Sequence, residues 1–360
     1  MDDSKQIQHL MNFKSLFLTL SFLAIAMGYS QGKSLPSDFL SKEFHKERRA
    51  ALRAKLPANS VAVFFANAAR NRANDVDYVY HQDPNFYYLT GYKEPNAVIL
   101  IFSDKQKAKK GNYNELFYVQ KRDARAEMWN GYRLGVAGVQ KELGIKNAFN
   151  GEEFVNLALD FTKFDKVIFT DFQNDVRDNK SEKADLFDLI AQFKEKVSYK
   201  TTTAKIPASD KNIKLASNID VISIRRYMAS LREVKTKEEL KLLKKAVRIS
   251  AIGQVEIMKA MHPGMSETEV QGVHEFVYKK YGAEYEGYPS IVGGGNNGCI
   301  LHYIENNKTK LGNELVLMDL GAEYRGYTAD VTRTIPANGT FTKEQKEIYD
   351  LVYKAQEAGI

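Results

Sequence analysis

The chain has 360 residues, 44% hydrophobic and 27% charged, with eight prolines scattered through it, which excludes a disordered or low-complexity protein and leaves room for two domains. Its net charge of +7 is the balance of 52 basic and 45 acidic residues interleaved along the chain, so no nucleic-acid partner is expected.

In chain order, the first pattern is MNFKSLFLTLSFLAIAMGYSQG, starting at Met11. One lysine, an apolar run from Leu16 to Met27 and then small residues make a secretory signal peptide over 11–30. The run is shorter than the roughly 20 residues a membrane helix needs, so no stable membrane span is expected and the protein should be exported. Met1 or Met11 serves as the start codon. Cys299 is the only cysteine, so no intramolecular disulfide exists.

From 39 to 206, apolar strands at Val61–Phe65, Ala97–Phe102, Leu116–Val119 and Lys166–Thr170 alternate with polar helical stretches, the pattern of an α/β domain. Lys105 to Lys110 is read as a solvated loop. Phe86 to Leu89 is read as core, and Arg70, Asp75 and Asp77 lie in a polar loop facing a neighbouring domain or subunit.

Residues 207–235 are expected to be a linker to a second domain over 236–360. There Thr236 with Glu239 forms a capping box, and Leu240, Leu243 and Val247 supply the apolar face. Ser266 with Glu269 caps a second helix carrying Val270, Val273 and Val277. His274, on its apolar face, is read as core, and His262 as a helix terminus. GGGNNG at Gly293 to Gly298 lacks the Lys-Ser/Thr ending of a phosphate-binding loop and reads as a turn. It should deliver Cys299 to Tyr303 as a short strand, with His302 within reach of the hairpin that follows.

In that hairpin, LMDLGAEYRGYTADVTRT, a turn centred between Tyr324 and Arg325 sets Asp319 opposite Asp330 on one face. Residues directly opposite have Cβ atoms about 4.5–5.5 Å apart, so a positive charge should sit between the two carboxylates. An oxygen-loving divalent ion suits them, as would Lys or Arg. The alternative is a solvated or capping pair.

DLGAEYRGYTADVTRT resembles the metal-binding hairpin of the pita-bread metallopeptidases. IVGGGNNGCILHYIENN and, far upstream, DVDYVYHQDPNFYYLTGYKEPNAVIL narrow the resemblance to aminopeptidase P, over roughly Phe39 to Ile360. It implies an α/β N-terminal domain followed by the first half of an α+β pita-bread catalytic domain. It further implies metal-dependent release of the first residue from peptides with proline at position two. Two divalent ions, most often Mn(II), are the implied cofactors, with Asp319 and Asp330 as ligands. His302 would hydrogen-bond the scissile peptide group. Tyr288 would line the substrate pocket, unless it is simply a buried aromatic. The family forms homo-oligomers, and Trp129 matches a position near a neighbouring subunit's cleft, with a buried core tryptophan as the alternative.

The resemblance also implies five protein ligands, of which one histidine and two glutamates have no match here, because no histidine follows Asp330. Glu344, Glu347 and Glu357 read as the solvated side of a helix capped by Thr342 and Gln345, with Ile348, Leu351, Val352 and Ala355 as its apolar face. The chain therefore looks cut within its fold and is expected to be inactive alone. Two rival readings are a non-catalytic oligomerisation or peptide-binding protein that keeps the N-terminal domain, and a prolidase-type dipeptidase.

Overall fold

The structure is a computed structural model that describes residues 37–108, 111–173, 175–199 and 218–360. The expected signal peptide and start codon, residues 109–110 and most of the expected linker fall outside these residues. The rest of the basic stretch read as a loop, 105–108, is instead the end of a strand, Val98–Ala108, paired with Gly111–Tyr113. Residues 40–360 form one compact unit.

Its larger sheet has six strands, β1 (Ser60–Phe65), β4 (Val98–Ala108), β5 (Gly111–Val119), β6 (Ala148–Asn150), β7 (Lys166–Phe169) and β8 (Ile219–Asp220), in the order β6-β5-β4-β1-β7-β8. A small hairpin, β2 (Asn71–Ala73) with β3 (Val76–Asp77), stands apart. β4 pairs antiparallel with β1 and β5, while β6, β7 and β8 add in parallel. Alternation along β1 sorts the side chains to two faces: Val61 and Val63 face a phenylalanine-rich core with Phe154, Phe164 and Phe193. Ala62 and Phe64 face the other way, toward helices α1 (Lys42–Arg53) and α2 (Pro84–Thr90). Between these elements lies Arg49, fully buried, which donates to Glu115 at 2.9 Å and to the Leu89 carbonyl at 2.8 Å. Burial works against the Glu115 charge, yet Arg49 and Arg53 hold its carboxyl below the usual range. Two more helices, α3 (Ala124–Asn130) and α4 (Leu186–Lys196), complete this part.

Part of the stretch expected to be a linker is packed. β8 joins the sheet, and α5 (Ser223–Arg232) buries Ile224, Met228 and Leu231, apolar residues at helical spacing that the linker reading overlooked.

Helices α6 (Lys237–Ala260) and α7 (Glu267–Lys280) follow, each opened by the expected capping box. The buried side of α6 is Leu242, Ala246, Ile249, Gly253 and Ile257. The face expected from Leu240 and Val247 points outward instead, with those residues 40% and 46% exposed. The correction has a simple cause: α6 is apolar on two sides, and small residues at 246 and 253 let α7 approach one of them closely. An alanine at Gly253 would put its Cβ 3.0 Å from the Tyr278 ring.

Two three-stranded antiparallel sheets pack under these helices. One has the order β10 (Ile291–Gly294), β11 (Leu315–Leu320), β14 (Val331–Pro336); the other is β13 (Tyr327–Thr328), β12 (Ala322–Tyr324), β9 (Tyr285–Glu286). Helix α8 (Lys343–Gly359) closes the chain, capped as expected, and buries none of its residues. One continuous apolar core runs from the inner face of the six-stranded sheet through α5 and α6 to β11 and β12. Among the described residues no helix is long and apolar enough to cross a membrane.

Candidate metal centre

The turn of the hairpin that carries Asp319 and Asp330 is Arg325–Gly326, with φ of +52° and +83°. Two consecutive left-handed residues make the tight hairpin turn whose twist matches its strands. This pairs Tyr324 with Tyr327 and, further down, Asp319 with Thr332 and Leu320 with Val331. Asp319 and Asp330 are therefore not directly opposite, as a turn centred one residue earlier would have made them. Asp330 instead lies in the break between β13 and β14.

The two carboxylates still reach one point. The Tyr288 hydroxyl donates to Asp319 Oδ1 at 2.5 Å and lies 3.3 Å from Asp330 Oδ1. Burial and both carboxylates push this phenol well above its usual pKa, so it stays protonated and donates. Gly321 makes the approach possible, because a Cβ there would lie 1.7 Å from the Ala329 carbonyl oxygen and 3.2 Å from the Tyr288 ring. The Gly287 amide donates to the Gly321 carbonyl at 2.8 Å, which fastens the segment carrying Tyr288 to the hairpin. Asp319 is half-buried and Asp330 exposed. Neither forms an ion pair among the described residues; the protein group that lies between them is the Tyr288 hydroxyl.

In kind, these donors fit a hard divalent cation: two carboxylates and no sulfur. In number they fall short, for no group of three or more His, Cys, Asp or Glu side chains gathers among the described residues. They form one side of a carboxylate-rich centre and do not close it.

His302 is exposed and has no hydrogen-bond partner among the described residues. The short strand expected from Cys299 to Tyr303 does not form. Gly295–Cys299 is one turn of 3₁₀ helix, and residues 301–302 lie in a turn. The glycines explain this: Gly295 has φ +60°, and a Cβ on Gly293 would meet the Gly298 backbone nitrogen at 2.6 Å, so the chain folds back on itself instead of extending. Trp129, on α3, is 79% exposed, which removes the buried-core alternative. It borders a cavity of about 790 Å³ with Lys121, Arg125, Arg133 and Glu182.

One contact had no counterpart in the sequence reading. His81 Nε2 lies 2.9 Å from Glu323 Oε1, joining the N-terminal part to β12, and its ring packs against Tyr285 at 5.3 Å. A cavity of about 510 Å³ opens beside this pair, walled by Tyr87, Lys93, Glu284 and Arg325. The partners are more than 200 residues apart in sequence, and no local pattern links them.

Residues 241–360 match Metallopeptidase family M24, and residues 45–168 match the aminopeptidase P N-terminal domain. The chain is 32% identical to the Xaa-Pro aminopeptidase of Haemophilus influenzae over 323 residues, covering 89% of this chain and 67% of that protein. For the Xaa-Pro aminopeptidase of Escherichia coli K12 the identity is also 32%, covering 89% and 68%. In structure it superposes on E. coli aminopeptidase P with the inhibitor Pro-Leu at a TM-score of 0.73 and 32% identity, covering 89% of this chain and 68% of that one. Proline aminopeptidase P II of Yersinia pestis gives a TM-score of 0.71 at 31% identity, covering 88% and 68%. An α/β domain followed by part of an α+β domain with a carboxylate-bearing hairpin defines a pita-bread metallopeptidase. Within that class, the chain belongs to the aminopeptidase P family.

Proposed function

We propose that the protein is an exported Xaa-Pro aminopeptidase, releasing the first residue from peptides with proline at position two. We further propose that it works as a homo-oligomer loaded with two divalent ions, most often Mn(II). The observation that carries this reading is the convergence of Asp319 and Asp330 on the Tyr288 hydroxyl, within a fold and sequence of this family.

Asp319 and Asp330 would hold the metal, which when bound activates water and polarises the carbonyl before the proline nitrogen. The Asp319 carboxylate would also favour a free amino terminus by charge. His302, exposed on its turn, would donate a hydrogen bond to the scissile peptide group. Tyr288 holds Asp319 in place by donating to one of its oxygens, an orienting role it would keep when the carboxylate holds a metal. Trp129 would meet the substrate of a neighbouring subunit.

With two of the family's five ligands, the 360-residue chain should show no measurable release of the first residue from a Xaa-Pro peptide in the presence of Mn(II). Turnover at the level of a complete aminopeptidase would sink the ligand assignment. The intact mass of the protein from its source decides which chain carries the activity. A mass well above 40.9 kDa fits a longer enzyme, while a mass lowered only by signal removal fits the binding-protein reading. Comparing a Xaa-Pro dipeptide with a longer peptide on the native protein separates the prolidase reading.

A further inference from the structure

Helix α7 carries Glu267, Gln271 and Glu275, three polar residues at i, i+4 and i+8 and so on one face. That face meets the segment between β10 and β11, which contains His302. Glu267 is wholly buried, and its carboxylate accepts four hydrogen bonds. Oε1 accepts from the Gly294 amide at 2.7 Å and from Asn297 Nδ2 at 3.0 Å. Oε2 accepts from the Tyr303 hydroxyl at 2.8 Å and from the Lys308 amide at 2.9 Å. One turn further along, Gln271 Oε1 accepts from Asn306 Nδ2 at 2.8 Å, and Glu275 accepts from the Ser290 hydroxyl at 3.0 Å.

Apart from Glu267, the segment from Gly295 to Asn307 is held chiefly at its far end by the buried Asn306. That side chain accepts from the Val292 amide at 2.9 Å and donates to the Ser290 carbonyl at 2.9 Å, and the Asn306 carbonyl accepts from the Thr268 hydroxyl at 2.8 Å. The stretch nearest His302 therefore depends on Tyr303 and Glu267. Its strand pairing ends at Gly294; beyond the single 3₁₀ turn of Gly295–Cys299, a backbone bond runs from the Ile300 amide to the Asn297 carbonyl at 3.1 Å. Ile300, Leu301 and Ile304 are exposed, at 54%, 90% and 55%, so apolar burial does not fix it either. Tyr303, the neighbour of His302, is 4% exposed and points its hydroxyl at Glu267.

We propose that Glu267 is the positioning residue for His302, tying both ends and the middle of its loop to the first turn of α7. The use of His302 in catalysis rests on the proposed function; the anchoring does not. A carboxylate is needed because all four partners are donors, two of them backbone amides that cannot turn away. Glutamine in its place keeps the size but presents an NH₂ to two of those donors.

The test is hydrogen exchange by mass spectrometry on the 360-residue chain, with the ¹H–¹³C signal of the His302 ring as a second readout. In Glu267→Gln, exchange across 295–307 should rise about ten-fold or more, and the His302 signal should shift and sharpen, while protection of α6 is retained. Unchanged exchange in that segment, with α6 intact, overturns the proposal. If Glu267→Gln loosens α6 equally, Tyr303→Phe, which removes the hydroxyl's bond to Glu267 together with its bonds to Asn297 and Asn307, decides. A rise of about three-fold confined to 295–307 supports the anchor, and no rise overturns it. Exchange is read without catalysis, so absence of peptidase activity from the full gene product would count against the proposed function and not against the anchor.

Discussion

Among single residues, the histidines divide by environment. His45 and His274 are 2% and 0% exposed, and burial lowers each pKa to about 4, against one backbone hydrogen bond apiece. The Nε2 of His274 is buried without a partner, which further disfavours the charged ring. Each stays neutral in the fold while the unfolded chain takes a proton near pH 6.5. Stability from these two is thus complete above about 6.5 and falls as the pH drops toward about 4, by about 1.4 kcal/mol per unit for each. His81 has the opposite sign: its hydrogen bond to Glu323 raises its pKa, so its contribution is complete below about 6.5 and fades as the pH climbs through the folded value. Urea unfolding between pH 6 and 5, below the range in which His81 opposes the trend, should show a slope approaching two protons, and His274→Asn should halve it. A variant that keeps the whole slope would rule out His274 as a source. The sequence showed His274 as core because its neighbours at helical spacing are apolar, but it gave no hint of the His81 pair, which only tertiary structure creates.

For whole elements, the helices opened by capping boxes were legible, whereas α5, which falls in the expected linker, and the loops were not. Thr236 with Glu239, Ser266 with Glu269 and Thr342 with Gln345 are local signals, and all three boxes form. The hairpin was legible as a hairpin, but its register rests on which two residues take positive φ, and Tyr-Arg-Gly left two choices. Arg325, a non-glycine in the left-handed region, made the right one hard to foresee. The stripe of Glu267, Gln271 and Glu275 was missed, and nothing nearby in sequence marks it as buried, since its partners lie up to 41 residues away. Gly326 carries a sharp expectation of its own. It has φ +83°, and an added Cβ would lie 2.9 Å from the Tyr87 ring. Gly326→Ala should cost about 1–3 kcal/mol in chemical denaturation. A cost below about 0.5 kcal/mol would mean that the turn tip is free of Tyr87.

Over the molecule as a whole, the second part has an inner face that is packed and an outer face that is not. Ile348, Leu351 and Val352 on α8 are 63%, 64% and 61% exposed, and α6 shows Leu240, Val247, Val255 and Met258 at 40–47%. Contiguous exposed apolar surface favours association. Ile348→Gln with Leu351→Gln should therefore leave unfolding free energy within about 1 kcal/mol while lowering self-association in sedimentation. A larger loss would show that this face is packed in solution. The apolar face of α8 was plain in the sequence; which surface would cover it was not, because periodicity tells which side is apolar and not what meets it.

The tip of the Asp319–Asp330 hairpin rests on the N-terminal part: Gly326 lies against Tyr87, and Glu323 bonds His81. The two parts are therefore poor modules for exchange. A chimera that takes its α/β part from one relative and its hairpin from another would bring together a tip and a seat shaped for different partners, and the misfit would be transmitted along β12 toward Asp319. Substitutions at 81 and 87 should be tolerated in evolution chiefly when 323 and 326 change with them.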